Sequence, residues 1–564
     1  MTSAAVFQAA SHSWLTAGGE ATRAYAEALQ APRATQERVL SRLLAVNADS
    51  EYGRRYGFER IPGTREFQAA VPVVCYEDLA PEIERIRNGE PGVLTTEQVV
   101  AFELTGGSSA GAKYIPYTRS LKAEFAAAVA PWMADLYHHV PSLHLGGHYW
   151  SVSPLARRAE QTAGGIPIGF EADAEYFDRE AQRALAVLLL APPEIARAPD
   201  IETCRYLTLR FLLPQSRLAF VSVWNPSFLT LLLDSFVPHA KELLNDLETG
   251  ALTPPSPLPP PVHASLAARL RPEPERAVRL RAGLRPDGAL PWTAVWPGLA
   301  VVSCWADAAA SRFVPELQQR LPGVAIQGKG LLATEGVVTL PLWGYPGAAP
   351  ALTSHFLEFA PAGAPGERPA LVEHLEAGAE YEVLLTTGGG LYRYRLGDRV
   401  RVAARLGPTP LLEFVGRSGA VSDLCGEKLH EQFVQQAAER VLGHFGAPIA
   451  FAMLAPEWGR PPVYVLFLEV GEYGRRGAVI ESLHCVDAAL AQALDAELCA
   501  SPHYAYCRRL GQLGPVRVLR VRDGSRRYLD RCVMLGQRAG DVKPAALHRQ
   551  TGWVAWFSDA GSGT

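Results

Sequence analysis

"TGGSSAGAKYIPYT", Thr105 to Thr118, gathers threonine, serine and glycine into one short run and follows them with a single lysine. Three patterns compete for it. As a Walker A loop, Gly106 and Gly111 have the right separation, but Ala112 intervenes before Lys113 and Tyr114 replaces the metal-binding hydroxyl. As a G-x-S-x-G nucleophile elbow, Gly107, Ser109 and Gly111 match literally, but that motif needs a helix at once. Here Tyr114 and Ile115 prefer extended backbone, and Pro116 biases Ile115 away from helix. The third pattern is a flexible hydroxyl- and glycine-rich loop followed by lysine. Its hydroxyls and backbone N–H groups can wrap phosphates while the ammonium adds charge. The flanks suit this pattern: "VVAFEL" (Val99–Leu104) reads as a strand feeding the loop, and "SLKAEFAAAVAPWM" as a helix after Thr118.

The 564 residues exceed one ordinary core, so two or more domains are expected. A 48% hydrophobic and 20% charged composition is that of a globular protein, and a net charge of -4 offers no global field for nucleic acid or an anionic membrane. Apolar runs are too short to span a bilayer, and "MTSAAVFQAASHSW" lacks a basic start followed by an apolar block, so no secretory signal is expected in it. The eight scattered cysteines form no C-x-x-C pair, which points to a reducing, cytoplasmic setting. Only six of the 54 basic side chains are lysines: Lys113, Lys122, Lys241, Lys329, Lys428 and Lys543. Where arginine serves nearly everywhere, a retained lysine is a candidate for a compact ammonium against phosphate or carboxylate. Lys122 and Lys241 lie in helix-like polar surroundings and are expected to be solvated; Lys329 reads as structural.

Strands such as "LAVVSCW" (Leu299–Trp305) and "YEVLLTT" (Tyr381–Thr387) alternate with helices such as "QERVLSRLLA", so the class is α/β. "GALTPPSPLPPPV" reads as an extended surface connection. After Arg417 the texture becomes a compact α+β unit, with a helix carrying Leu429, Phe433, Ala437 and Val441 and strands at "IAFAML", "PVYVLFLEV" and "PVRVLRV". Gly416 and Gly419 give backbone freedom, so the boundary is placed there: an N-terminal domain of residues 1–416 and a C-terminal domain of 417–564. The arginine-rich "VRVLRVRDGSRRYLDR" reads as a solvated face of the small domain. No aromatic–basic interleaving suggests a nucleic-acid partner.

The loop does not stand alone. "LLATEGVV" (Thr334, Glu335), "GLYRYRLGD" (Arg393, Arg395, Asp398) and "FVGRSGAVSDLCGEKLHE" (Arg417, Lys428) follow in the order and rough spacing of the adenylate-forming enzymes. Together with "VPVVCYEDLAPEIERIRNGEPGVLT", "TAGGIPIG", "SVWNPSFLTLLLDSF" and "HFLEF", the chain resembles the GH3 acyl-acid amido synthetases nearly end to end. The loop departs from the family in carrying Gly106 where serine is usual. The resemblance implies a large N-terminal adenylate-forming domain and a mobile C-terminal one. It implies ATP and Mg as cofactors, and a small carboxylic acid and an amine, foremost an amino acid, as substrates.

On that resemblance Thr105, Gly106, Gly107, Ser108, Ser109 and Lys113 hold the pyrophosphate, Thr334 meets the α-phosphate and Glu335 is the Mg-linked carboxylate. Asp398 accepts the ribose hydroxyls and Arg417 touches ribose or phosphate. Of Tyr392 and Tyr394, at most one is taken to face the nucleotide, the other being core, and Tyr392 is assigned. Lys543 supplies the ammonium that neutralises carboxylate and phosphate as they meet, with Lys428 in support. Phe125, Val129 and Met133, at i, i+4 and i+8, line the acyl pocket with Tyr176 and Trp224. Two other readings are carried: an acyl-CoA ligase with a thiol acceptor, and a nucleotide-binding protein without catalysis.

Overall fold

The computed structural model describes residues 3–106, 112–152, 160–169, 176–362, 366–418, 421–444, 449–470, 480–535 and 545–558. Gly107, Ser108, Ser109, Gly419 and Lys543 lie outside them. The fold is α/β, with a large N-terminal and a smaller C-terminal part. By contact density it divides into one unit of Met1–Leu104 with Tyr114–Arg417, and another of Thr105–Lys113 with Ser418–Thr564. No helix among the described residues is long and apolar enough to cross a membrane.

Strands β1 (Ala101–Gly106) and β2 (Ala112–Tyr117) flank the opening loop, with Ala101–Leu104 and Tyr114–Tyr117 counted in the large unit. The strand Ala112–Tyr117 stands where a nucleophile elbow requires a helix, in keeping with Tyr114, Ile115 and Pro116. The helix Arg119–His139 begins only at Thr118, whose Oγ1 accepts from the Leu121 N–H at 3.1 Å. The same hydroxyl donates to the Gly388 carbonyl at 2.9 Å, tying the helix start to a distant loop.

This helix lies over a four-stranded parallel sheet of β3 (Gly147–Trp150), β4 (Leu218–Ser222), β5 (Val301–Cys304) and β6 (Ala325–Gly328), in that spatial order. The strands are apolar, as the central strands of a parallel sheet covered on both faces must be. A hairpin of β7 (Leu332–Ala333) and β8 (Gly336–Val337) follows, turning at Thr334 and Glu335. A six-stranded antiparallel sheet completes the unit: β9 (Thr339–Pro341), β10 (Ala348–Pro350), β11 (Phe356–Pro361), β12 (Glu380–Thr386), β13 (Tyr394–Leu406) and β14 (Thr409–Arg417), in the order β9-β10-β14-β13-β12-β11. The helix Pro32–Val46 buries Val39, Leu40, Leu43 and Leu44, the face its spacing predicts. The proline-rich connection is not wholly extended: Pro260 and Pro261 open the helix Pro260–Ala267, because proline's missing N–H costs nothing in a first turn.

The small unit carries a sheet of β15 (Ile449–Glu457), β16 (Val463–Val470) and β17 (Arg517–Arg520). The helix predicted from Leu429 begins at Glu431 and buries Phe433 and Ala437; Leu429 belongs instead to a two-residue strand. The arginine-rich stretch is not simply solvated. Arg531 lies 4.4 Å above the Trp553 ring and donates to the Gly552 and Thr551 carbonyls. Arg520 pairs with Asp487 at 2.5 Å. These guanidinium groups use planar faces and forked donors together, which lysine does not supply.

Candidate active site

The Thr334–Glu335 turn is the hub of the large unit's polar residues. Tyr117, at the end of β2, donates its hydroxyl to the Thr334 carbonyl. Glu335 is buried, with no ion pair to any described residue. Two buried phenols feel its carboxylate. Burial, followed by the fields of Tyr176, Glu103 and Glu335, pushes Tyr117 well above the usual phenol range. Burial first and Glu335 second do the same to Tyr394. Both therefore stay neutral hydroxyl donors.

A brace from three distant segments fixes the turn. His355 is fully buried; its Nε2 accepts from the Val337 N–H at 3.0 Å, so its Nδ1 carries the proton and donates to Glu124 at 2.9 Å. Glu124 also accepts from the Gly388 N–H, at 3.0 and 3.1 Å to its two oxygens. Close packing accompanies the bonds. A Cβ on Gly336 would stand 2.9 Å from His355 Nε2, and one on Gly388 would stand 2.6 Å from a Glu124 oxygen. Neither Glu124 nor His355 was singled out from the sequence. "HFLEF" marked the region, but the pairing spans 231 residues and has no local signature.

Of the expected pocket residues, Phe125 and Tyr176 stand together beside the turn. Ring centroids are 5.9 Å apart for Tyr117–Phe125, 5.8 Å for Tyr117–Tyr176 and 5.4 Å for Phe125–Tyr176. Val129 is half-buried on the same helix face, whereas Met133 is buried in the core. The residue that continues the Phe125–Val129 face is Trp132, at i+7, whose indole N–H donates to Gln327 Oε1 at 2.9 Å. Trp224 is not with Phe125; it packs against Trp305 at 5.7 Å at the carboxyl end of the parallel sheet.

Asp398 and Arg417 face each other across β13 and β14, with Arg417 Nε 3.2 Å from Asp398 Oδ1. Tyr392 and Tyr394 do not share a strand. Strand β13 starts only at Tyr394, because Arg393 takes a left-handed φ of 49° and is held there by a buried pair with Glu358 at 3.0 Å. Tyr392 is core: it stacks on Tyr52 at 5.0 Å and donates its hydroxyl to the Leu94 carbonyl. Tyr394, the partner not assigned, is the one beside Glu335. Thr105 is buried near the end of β1, Gly106 closes that strand, and Lys113 is half-buried in β2. Lys428 is half-buried ahead of the strand Leu429–His430, with a left-handed φ of 47°. Lys329, read as structural, is buried and donates to Ser222 Oγ at 2.5 Å.

Comparison with known proteins covers nearly the whole chain. The GH3 family N-terminal domain matches residues 21–326, its central domain 349–417 and its C-terminal domain 430–551. The indole-3-acetic acid-amido synthetase GH3.8 of Oryza sativa subsp. indica is 26% identical over 517 residues, 87% of this chain and 84% of its own. GH3.3 of Arabidopsis thaliana, of the same description, is 26% identical over 77% of this chain and 76% of its own. Among solved structures, the AtGH3.15 acyl acid amido synthetase in complex with 2,4-DB aligns with a TM-score of 0.63 and 20% identity, covering 97% of this chain and 96% of that one. That last likeness is one of fold.

Proposed function

Because this chain belongs to the GH3 family, we propose that it is an ATP-dependent ligase joining a small carboxylic acid to an amine, that of an amino acid. A carboxylate oxygen of the acid attacks the α-phosphorus of ATP, the bond to the bridging oxygen breaks, and pyrophosphate leaves. The amine nitrogen then attacks the acyl carbon, the bond to AMP breaks, and the nitrogen gives up a proton. Adenylation is needed because a carboxylate is a poor acyl donor at neutral pH; the protein's part is alignment and charge stabilisation.

The observation that carries this reading is the Thr334–Glu335 turn: a buried carboxylate without an ion pair to any described residue, beside an aromatic wall of Phe125 and Tyr176 and held by the His355–Glu124 brace. A hard carboxylate oxygen at such a turn fits Mg²⁺, which binds through one or two carboxylates plus substrate phosphates. Mg²⁺ when bound neutralises charge on the phosphate oxygens. Thr334 orients the α-phosphate, and Tyr117 fixes the turn by its bond to the Thr334 carbonyl. Asp398, positioned by Arg417, accepts the ribose hydroxyls. Thr105, Gly106, Gly107, Ser108, Ser109 and Lys113 are assigned to the leaving pyrophosphate, and Lys543 with Lys428 to charge neutralisation during adenylation. Tyr394 replaces Tyr392 in the nucleotide-side assignment. Cys75, Cys204, Cys304, Cys425, Cys499, Cys507 and Cys532 are free thiols, in keeping with a reducing cytoplasm.

The nucleotide product tests the proposal. Incubation with ATP, Mg²⁺, a pool of carboxylic acids and a pool of amino acids is expected to give AMP and pyrophosphate that depend on the acid, and a conjugate visible by mass. ADP with phosphate would mean an acyl-phosphate route and overturn the reading. AMP formation completed only by a thiol acceptor would transfer it to the acyl-CoA ligases.

A further inference from the structure

The carboxyl ends of the parallel sheet carry a second polar cluster. Trp150, Ser222, Ser303 and Gln327 stand in register on β3, β4, β5 and β6. Residues in register on neighbouring strands share a face of the sheet, and Lys329, two residues beyond Gln327, continues it. Its ammonium lies 5.4 Å from the Trp132 ring and 5.1 Å from the Trp224 ring, besides donating to Ser222. Gln327 Oε1 accepts from the Trp132 indole, which leaves Gln327 Nε2 as the other end of the amide. That Nε2, the Trp150 Nε1 and the Ser303 Oγ are buried and make no hydrogen bond among the described residues. Ser303 is 0% exposed and Gln327 8%.

An unsatisfied buried polar atom is destabilising, and three in one cross-strand row call for an explanation. The row's unfilled capacity is that of a donor: an indole N–H, an amide NH₂ and a hydroxyl that can act either way. Among the described residues no acidic side chain lies in the row, and the Lys329 ammonium stands beside it. Its position, outside the carboxyl ends of parallel strands, is where open α/β sheets bind ligands. Trp224 is 39% exposed, so the aromatic wall reaches solvent. Donors, one cation and indole walls select an oxyanion on an apolar body.

We propose that this row binds a second oxyanion at the far end of the acid substrate, so that the acid this chain takes is bifunctional, a dicarboxylic acid or an acid bearing a phenolate. The inference rests on the ligase reading for one point, that the reacting carboxylate sits by Thr334 and Glu335. Trp132 lies seven residues from Phe125 on one helix, about 10 Å along its axis, and that span sets the spacing between the two groups. The carboxylate of an α-amino acid acceptor does not meet this spacing, since it shares one carbon with the attacking amine.

The test is calorimetric titration of the full chain, with and without a non-hydrolysable ATP analogue. The ligands are α,ω-dicarboxylic acids of increasing length, each against the monocarboxylic acid of equal carbon number. One length of diacid is expected to bind about tenfold tighter than its monoacid or better, and Ser303→Ala and Lys329→Met are each expected to abolish that preference. Ser303→Ala separates binding from structure. Removing an unpartnered buried hydroxyl leaves the unfolding midpoint unchanged or raises it, so a merely structural serine predicts an unaltered binding ratio. Equal affinity for diacids and monoacids at every length, or a preference that survives both substitutions, overturns the proposal. So does weakened binding of free amino acids in the variants with no change for the acids, which would give the row to the acceptor. Diacid preference without acid-dependent AMP sustains the site and fails the ligase reading; AMP formation from monoacids with no diacid preference does the reverse.

Discussion

Gly336→Ala should disable the site through a contact that no substrate makes. The new Cβ would stand 2.9 Å from His355 Nε2, 3.2 Å from Cδ2 and 3.4 Å from Cε1. Ordinary contact needs about half an ångström more at the closest atom. The imidazole has little room to yield, because both nitrogens are bonded, to the Val337 N–H at 3.0 Å and to Glu124 at 2.9 Å, inside a fully buried ring. The strain therefore moves β8 and the Thr334–Glu335 turn attached to it. Overpacking of this kind costs about 1–3 kcal/mol. A misplacement of about 1 Å costs up to about a hundredfold in rate, so half that distance is expected to lower kcat about tenfold. Urea unfolding followed on the large unit, and AMP release at saturating substrates, measure the two effects. A variant with wild-type kcat and an unfolding midpoint within error would refute the claim that the brace holds the turn in its working position.

Asp398→Asn removes the charged acceptor and frees Arg417 from its 3.2 Å contact; KM for ATP should rise about tenfold, with kcat less affected, in steady-state kinetics. Arg393→Met leaves Glu358 as a buried unpaired carboxylate and should cost about 3–5 kcal/mol in urea unfolding, part of it recovered in the double variant with Glu358→Met. In the small unit, burial first and Asp423 second push the Glu427 carboxyl up to about 7 from its ordinary 4.5, although it accepts from the Leu424 and Cys425 N–H groups and the Tyr464 hydroxyl. The folded state then holds a proton that the unfolded state has lost. The contribution is fully present below about 4.5, declines as pH rises to about 7 and is flat above. Its slope is at most about 1.4 kcal/mol per pH unit; Glu427→Gln should lack that slope, so the difference between the two proteins' stabilities carries it between about pH 4.5 and 7.

Local rules carried much of the fold. Pro116 and the β-prone Tyr114 and Ile115 foretold β2, and Thr118 foretold the helix start that follows it. The helical spacing within "QERVLSRLLA" found the helix Pro32–Val46. What failed did so through non-local causes. Tyr392 and Tyr394 look alike until Glu358 holds Arg393 at positive φ and ends the strand between them. Met133 and Trp132 both fit a helical stripe, and only the sheet opposite decides that Trp132 meets Gln327. The polar row needs the register of four strands spread from Gly147 to Gly328, which no window of sequence contains. Of the candidate site, Thr334, Glu335, Asp398 and Arg417 were each named on the family resemblance, through short motifs local in the chain. The Glu124–His355 link was not.

Seen from the ribosome, that link has a cost in time. Glu124 is made early, and its partners His355 and Gly388 emerge 231 and 264 residues later. At about 5–20 residues per second, the wait for Gly388 is about 13–50 s. Throughout it the helix Arg119–His139 carries a carboxylate whose final place is inside the protein, so its docking against the antiparallel sheet is deferred until most of that sheet has been translated. Slowing synthesis between these segments lengthens the period in which the nascent chain is open to proteolysis.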